Sequence, residues 1–149
     1  DNHGNIIAPL VVASVNVHDT RLFPTSLSDL VEQAHFSRLD IEKSFLTLDP
    51  GFDSRLNRDI ILDAQLIPVI KPVAWAKQDQ TKRYERLDDF ELVKYVYKER
   101  YKIERCFAWE DKYRKLVIRY EKLQSTFMGF RYLAYSMINF RWEFGKNPR

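Results

Sequence analysis

The chain has 149 residues, 45% of them hydrophobic and 30% charged, a composition in the range of soluble folded domains and long enough to bury a core. No apolar run nears the roughly 18 residues of a membrane span, and the opening DNHGN has neither the basic nor the apolar region of a secretory signal. The single Cys106 excludes an intrachain disulfide framework and fits a reducing compartment, the cytosol or nucleoid.

The net charge of +3 is divided unevenly: residues 1–96 carry 11 basic and 15 acidic groups (net −4), and residues 97–149 carry 13 and 6 (net +7). A basic C-terminal third is the footprint expected of phosphate contact, although a solvated helix surface gives the same count.

The opening residues DNHGN are turn formers set directly before an apolar, β-branched run. The turn therefore lacks a first arm, and the sequence reads as a fragment with an upstream part missing. Ile6 to Val17 reads as a strand, interrupted by Pro9 in a manner suited to an edge or bulge. NVHDT then breaks the pattern. TSLSDLVEQAHFSR predicts a short amphipathic helix with Leu27, Leu30, Val31 and Ala34 on one stripe and Ser26 or Ser28 as cap. SFLTLD is the next strand, FDSRLNRDIILDAQ a helix that Asp53 or Ser54 can cap, and LIPVIKP a third strand ended by Pro72. The order strand, helix, strand, helix, strand predicts an α/β fold with a parallel portion.

Residues 73–88 are polar and without a period, which predicts a loop or insertion. Two helical segments follow, from about Asp89 to about Lys115 and from about Glu121 to Trp142. Trp109, Trp142, Phe107, Phe127, Phe130 and Tyr135 suit a core between them.

Two strings are candidates for chemistry. In SFLTLDPGFDS the apolar strand Phe45–Leu48 delivers Asp49 into a Pro-Gly breaker, so Asp49 is either a turn acid or a ligand held at a sheet rim. In YKERYKIERCFAWEDKYRK the residues Tyr97, Arg100 and Glu104 stand at i, i+3 and i+7, one face of a continuous helix. Glu104 with Arg100 is either an ordinary surface pair or a carboxylate held by a guanidinium. Asp53 suits a helix N-cap better than a metal site. His18 and Asp19 suit a turn, His3 and His35 stand apart with no metal-type spacing, and Cys106 suits packing rather than nucleophilic catalysis. Trp75, flanked by Lys71 and Lys77 with Lys82, Arg83 and Arg86 beyond, suits either stacking on an unpaired base or packing on the core. Lys112, Arg114, Lys115, Arg119 and Lys122 are candidates for phosphate-backbone contacts.

Together these strings resemble bacterial insertion-sequence transposases of the DDE class. Tyr97-x2-Arg100-x3-Glu104 is similar to their C-terminal signature, and Asp49, Gly51, Phe52 and Asp53 to their second-acid motif. NVHDT and the run from Trp109 to Ala134 share the family's look, so the resemblance spans nearly the whole chain in order. The signature's lysine, seven residues beyond the Glu, is absent: position 111 is Asp, with Lys112 beside it.

The resemblance implies a single partial domain over residues 1–149: an RNase H-like mixed α/β sheet in 1–72 lacking its first strand or strands, the polar segment 73–88, and long helices in 89–149 carrying the third acid. It implies Asp49 and Glu104 as catalytic metal ligands, Tyr97 and Arg100 as supporting residues, and two Mg²⁺ (or Mn²⁺) ions in the complete site. Mg²⁺ favours hard carboxylate oxygens and leaves room for water and phosphate, and a metal pair suits in-line displacement at phosphorus. Asp1 is a poor stand-in for the first acid, which the resemblance places upstream, so the chain alone is expected to turn over poorly. The partners implied are insertion-sequence ends and target DNA, with no membrane and with a homodimer as an option for the complete transposase in a bacterial cytoplasm. Two other readings stay open, a non-catalytic DNA-binding remnant and a plain structural α/β domain.

Overall fold

The structure is a computed structural model that describes residues 1, 3–14, 16–73 and 80–145, with side chains for all of these except 80–83. Contacts divide the chain into two compact units: residues 7–99, and residues 1–6 together with 100–149.

In the first unit, helix α1 (Asp19–Phe36) begins well before the sequence predicts, with His18 as its N-cap. The His18 imidazole, not Ser26 or Ser28, accepts from the Thr20 N–H at 3.5 Å. Pro24 lies inside the helix, where it removes one backbone bond and usually marks a start or a break. Burial of Phe23 and Leu27 on either side of it outweighs that loss, since tertiary packing supplies most helix stability. Of the expected stripe, Leu27 and Ala34 are buried, Leu30 is half-buried and Val31 is exposed.

Strand β1 (Phe45–Leu48), helix α2 (Arg55–Asp63) and strand β2 (Ile67–Ile70) form the predicted parallel unit. The strands pair in register from Phe45 opposite Ile67 to Leu48 opposite Ile70. A parallel pair needs a crossover, and α2 is that crossover. Helix α2 ends on Gln65 at φ 59°, a left-handed residue whose turn lets the Leu66 N–H reach back to the Ile61 carbonyl at 3.1 Å. Phe23, Leu27, Ile61, Leu66 and Ile70 form one buried cluster, with Phe52 edge-on to Phe23 at 5.6 Å. Val69 is buried on the opposite side by strand alternation, and helix α3 (Gln80–Tyr97) packs against β1 and β2.

Two expectations fail here. Ile6 to Val17 forms no regular element among its described residues. β-branched composition favours extended backbone, but a strand exists only with a ladder partner, and both backbone groups of Ile6 are taken by the Asn139 carboxamide at 2.8 Å each. The expected loop 73–88 is helical from Gln80 onward, because Phe90 is buried and Arg86 has a buried partner, neither of which shows as a period.

In the second unit, helix α4 (Tyr101–Glu110), the short helix α5 (Arg114–Val117) and helix α6 (Gln124–Phe144) pack with α6 in contact with both others. The expected single helix from Asp89 is interrupted by a 3₁₀ stretch, Lys98–Arg100. Ala134, Tyr135 and Ile138 are buried, while Phe107 of the expected core is exposed. Trp109 and Trp142 are half-buried with the Arg105 guanidinium over both rings, at 5.6 and 4.7 Å. No helix among the described residues is long and apolar enough to cross a membrane.

Candidate active-site acids and basic surface

The apolar pairing of β1 carries the chain to Leu48, and Pro50 cannot continue a ladder, so the backbone turns at Asp49. Pro50–Phe52 is a 3₁₀ turn, closed by the Phe52 N–H on the Asp49 carbonyl and the Asp53 N–H on the Pro50 carbonyl, both at 3.0 Å. Asp49 stands at the N-cap position of that turn with an exposed carboxylate that makes no capping bond.

Asp53 differs from expectation. Ser54 is the N-cap of α2, its hydroxyl accepting from the Asn57 N–H at 3.1 Å. The Asp53 side chain is 0% exposed and in an ion pair with Arg58. Arg58 donates through Nε and Nη2 to Oδ1 at 3.0 and 2.9 Å, and through Nη2 to the Ile70 carbonyl at 3.0 Å. The Val73 N–H donates to Oδ2 at 2.9 Å, and Arg86 Nη1 lies 3.4 Å from both oxygens. A carboxylate removed from water needs such partners, whereas an N-cap works half-exposed. The sequence could not announce this, because the decisive donors lie up to 33 residues away.

Glu104 lies in the first turn of α4, where a carboxylate is favoured by the helix dipole. Arg100 Nη2 is 3.4 Å from its Oε1, and the two side chains are 33% and 68% exposed. The structure thus brings Arg100 and Glu104 together, as expected. Tyr97 closes α3 in the other unit and packs edge-on to Phe90 at 5.2 Å. The helix is not continuous from Tyr97 to Glu104, because the 3₁₀ stretch Lys98–Arg100 lies between α3 and α4. Asp49 and Glu104 belong to different units.

A second locked acid escaped the sequence reading. Glu110, at the end of α4, pairs with Arg131 at 2.5 Å and accepts from the Tyr135 hydroxyl at 2.9 Å. Burial of the phenol, and then its bond to Glu110, push the Tyr135 pKa up to about 12. Only the i, i+4 spacing of Arg131 and Tyr135 on α6 hints at a shared partner.

Of the basic candidates, Lys71, Lys112, Arg114, Lys115, Arg119 and Lys122 are exposed. Lys115 Nζ sits 4.4 Å above the Phe130 ring and the Arg119 guanidinium 4.9 Å above Phe127, so two of these cations are oriented by aromatic faces. Trp75 and Lys77 lie outside the described residues, as do the side chains of Lys82 and Arg83. Cys106 donates its S–H to the Gly4 carbonyl at 3.2 Å, a packing role.

Residues 1–137 match the family described as the transposase DDE domain. The chain belongs to that family. No curated protein and no solved structure matches it. Membership in the transposase DDE domain family makes transposition the related process and DNA the implied partner, and the family generally uses divalent metal ions. Among the described residues no group of three or more His, Cys, Asp or Glu side chains is gathered as a metal site. The donor chemistry of the two acids nevertheless fits a hard divalent ion, both being exposed carboxylates.

Proposed function

We propose that this chain is the part of a bacterial insertion-sequence DDE transposase that supplies the second and third acids of an RNase H-like catalytic domain, acting in Mg²⁺-dependent cleavage and strand transfer of transposon-end DNA. Asp49 and Glu104 are the metal ligands. The ions, when bound, would activate a water or 3′-hydroxyl and stabilise the leaving oxygen. The chain's own part is to hold the two carboxylates: Asp49 at a strand end and Glu104 in a helix first turn, with Arg100 paired to Glu104 and Tyr97 closing the preceding helix. The exposed cations of residues 112–122 and Lys71 hold the DNA backbone through charge, independently of sequence. We assign residues 1–149 to one such domain, in a transposase that works as a homodimer on nucleoid DNA.

One observation carries this reading: within the family match, Asp49 is exposed at a strand end while its motif partner Asp53 is buried among Arg58, Arg86 and the Val73 N–H. The motif therefore has one solvent-exposed and one buried carboxylate. The test is paramagnetic broadening of backbone amide signals by Mn²⁺. Expected is selective loss of signal around Asp49 and Glu104, removed at the first position by Asp49→Asn. Broadening that is indifferent to that substitution would sink the assignment. The alternative, a DNA-binding remnant, predicts salt-dependent DNA affinity with no Mn²⁺ effect at either acid.

A further inference from the structure

Asp53 is a buried carboxylate that the proposed chemistry leaves unused. Burial of a charge is costly unless its oxygens are satisfied, and here the donors come from three different places. Arg58 reaches it from α2, the Val73 N–H from the segment after β2, and Arg86 from α3. Arg58 at the same time ties down the Ile70 carbonyl at the end of β2. One carboxylate thus gathers the end of the sheet, the crossover helix and α3 at a point four residues after Asp49.

The turn between the two acids is fixed at this same end. The Asp53 N–H closes the turn on Pro50, and the Phe52 carbonyl accepts from the Asn57 side chain at 2.8 Å. Upstream, the β1 pairing holds Leu48 opposite Ile70, whose carbonyl Arg58 binds. Asp49 is therefore suspended between a ladder and a lock that meet at one residue of β2.

We infer that Asp53 is the positioning residue of Asp49: clamped by Arg58 and Arg86, it sets the 3₁₀ turn that presents the Asp49 carboxylate, and it does not itself bind metal. The inference rests on the reading of Asp49 as a metal acid. Groups that orient a ligand from behind typically change metal affinity by about 10–100-fold when altered, which sets the scale of the effect.

The experiment uses the full chain with two measurements, amide hydrogen exchange without metal and Mn²⁺ affinity at Asp49 by amide broadening. Asp53→Asn keeps the shape and removes the charge. It should speed exchange at Phe52, Asp53 and Val73 by at least about tenfold, beyond any change in α1, and weaken Mn²⁺ at Asp49 by about 10–100-fold. Arg58→Lys, which keeps charge but loses the fork, should give the same pattern more weakly and covers the case in which Asp53→Asn does not fold. Ser54→Ala removes the α2 cap and serves as the structural control, with Mn²⁺ affinity unchanged. Unaltered protection of the turn in the Asp53 or Arg58 variants, or a loosened turn with wild-type Mn²⁺ affinity, overturns the positioning role. If the unaltered chain takes no Mn²⁺ at Asp49, the metal reading fails instead, and the exchange result alone decides whether Asp53 sets the turn.

Discussion

The strand-end region and the α4–α6 region solve one problem with different thoroughness. Each presents an exposed carboxylate, Asp49 or Glu104, and a few residues later pairs a less exposed one, Asp53 or Glu110, with arginine. Asp53 is 0% exposed and draws on two guanidiniums and a backbone N–H from three segments. Glu110 is 12% exposed, and Arg131 and Tyr135, which bind it, both come from one turn of α6. Acids of this second kind hold segments together, whereas solvent-exposed carboxylates contribute less to folding. Carboxylates only four or six residues apart therefore sit in different surroundings, and exposure is what separates them.

The largest expected effect is at the more complete lock. Asp53→Ala leaves two partly buried guanidiniums without their shared buried anion, and loss of one partner of a buried pair costs up to about 3–5 kcal/mol. Urea unfolding followed in the 7–99 unit should show it. Glu110→Ala should cost less, about 1.5–3 kcal/mol, the usual range for a bond to a charged group, read in the unit that contains α4 and α6. Equal losses, or the reverse order, would break the comparison, because the ranking follows directly from the number of segments each acid joins.

The same contrast explains what the sequence could reveal. The β1–α2–β2 unit is legible because its signals are local: apolar four-residue strands, a Ser54 cap three residues before Asn57, and prolines at the borders. Asp49 is legible for the same reason, being placed by the residues beside it. The lock at Asp53 is not, since its partners Val73 and Arg86 are 20 and 33 residues away. Helix α3 is hidden because, among its described residues, Phe90 alone is buried, which leaves no stripe to count. The break at Lys98–Arg100 contains neither Gly nor Pro, so nothing in that tripeptide signals a change of helix type. Ile6–Val17 fails oppositely: its composition is that of a strand, but pairing is a property of the whole fold.

Alkaline pH probes the α4–α6 lock without a charge substitution on Glu110. The folded-state pKa of Tyr135 is raised from 10.0 to about 12, so the folded state holds the phenol proton more tightly than the unfolded chain. Its contribution is fully present below pH 10 and is lost as pH rises through about 12. Unfolding midpoints of the wild type should therefore fall across that window, and Tyr135→Phe should remove the Tyr135 share of the decline. A Phe variant with an unchanged alkaline slope would show that the hydroxyl is not held by Glu110 in solution.

The smallest expected effect falls on the exposed acid's own partner. Arg100 and Glu104 are 33% and 68% exposed at 3.4 Å, and exposed i, i+4 pairs contribute about 0.3–0.5 kcal/mol, less at high salt. Arg100→Ala should therefore leave the unfolding midpoint nearly unchanged, in contrast to Glu110→Ala six residues beyond Glu104 on the same helix. If Arg100 matters to ligand binding, the loss should appear as weaker Mn²⁺ broadening at Glu104 in a chain of wild-type stability. A stability loss comparable to that of Glu110→Ala would instead make the Arg100–Glu104 pair part of the folding framework, and the division between exposed and structural carboxylates would fail at Glu104.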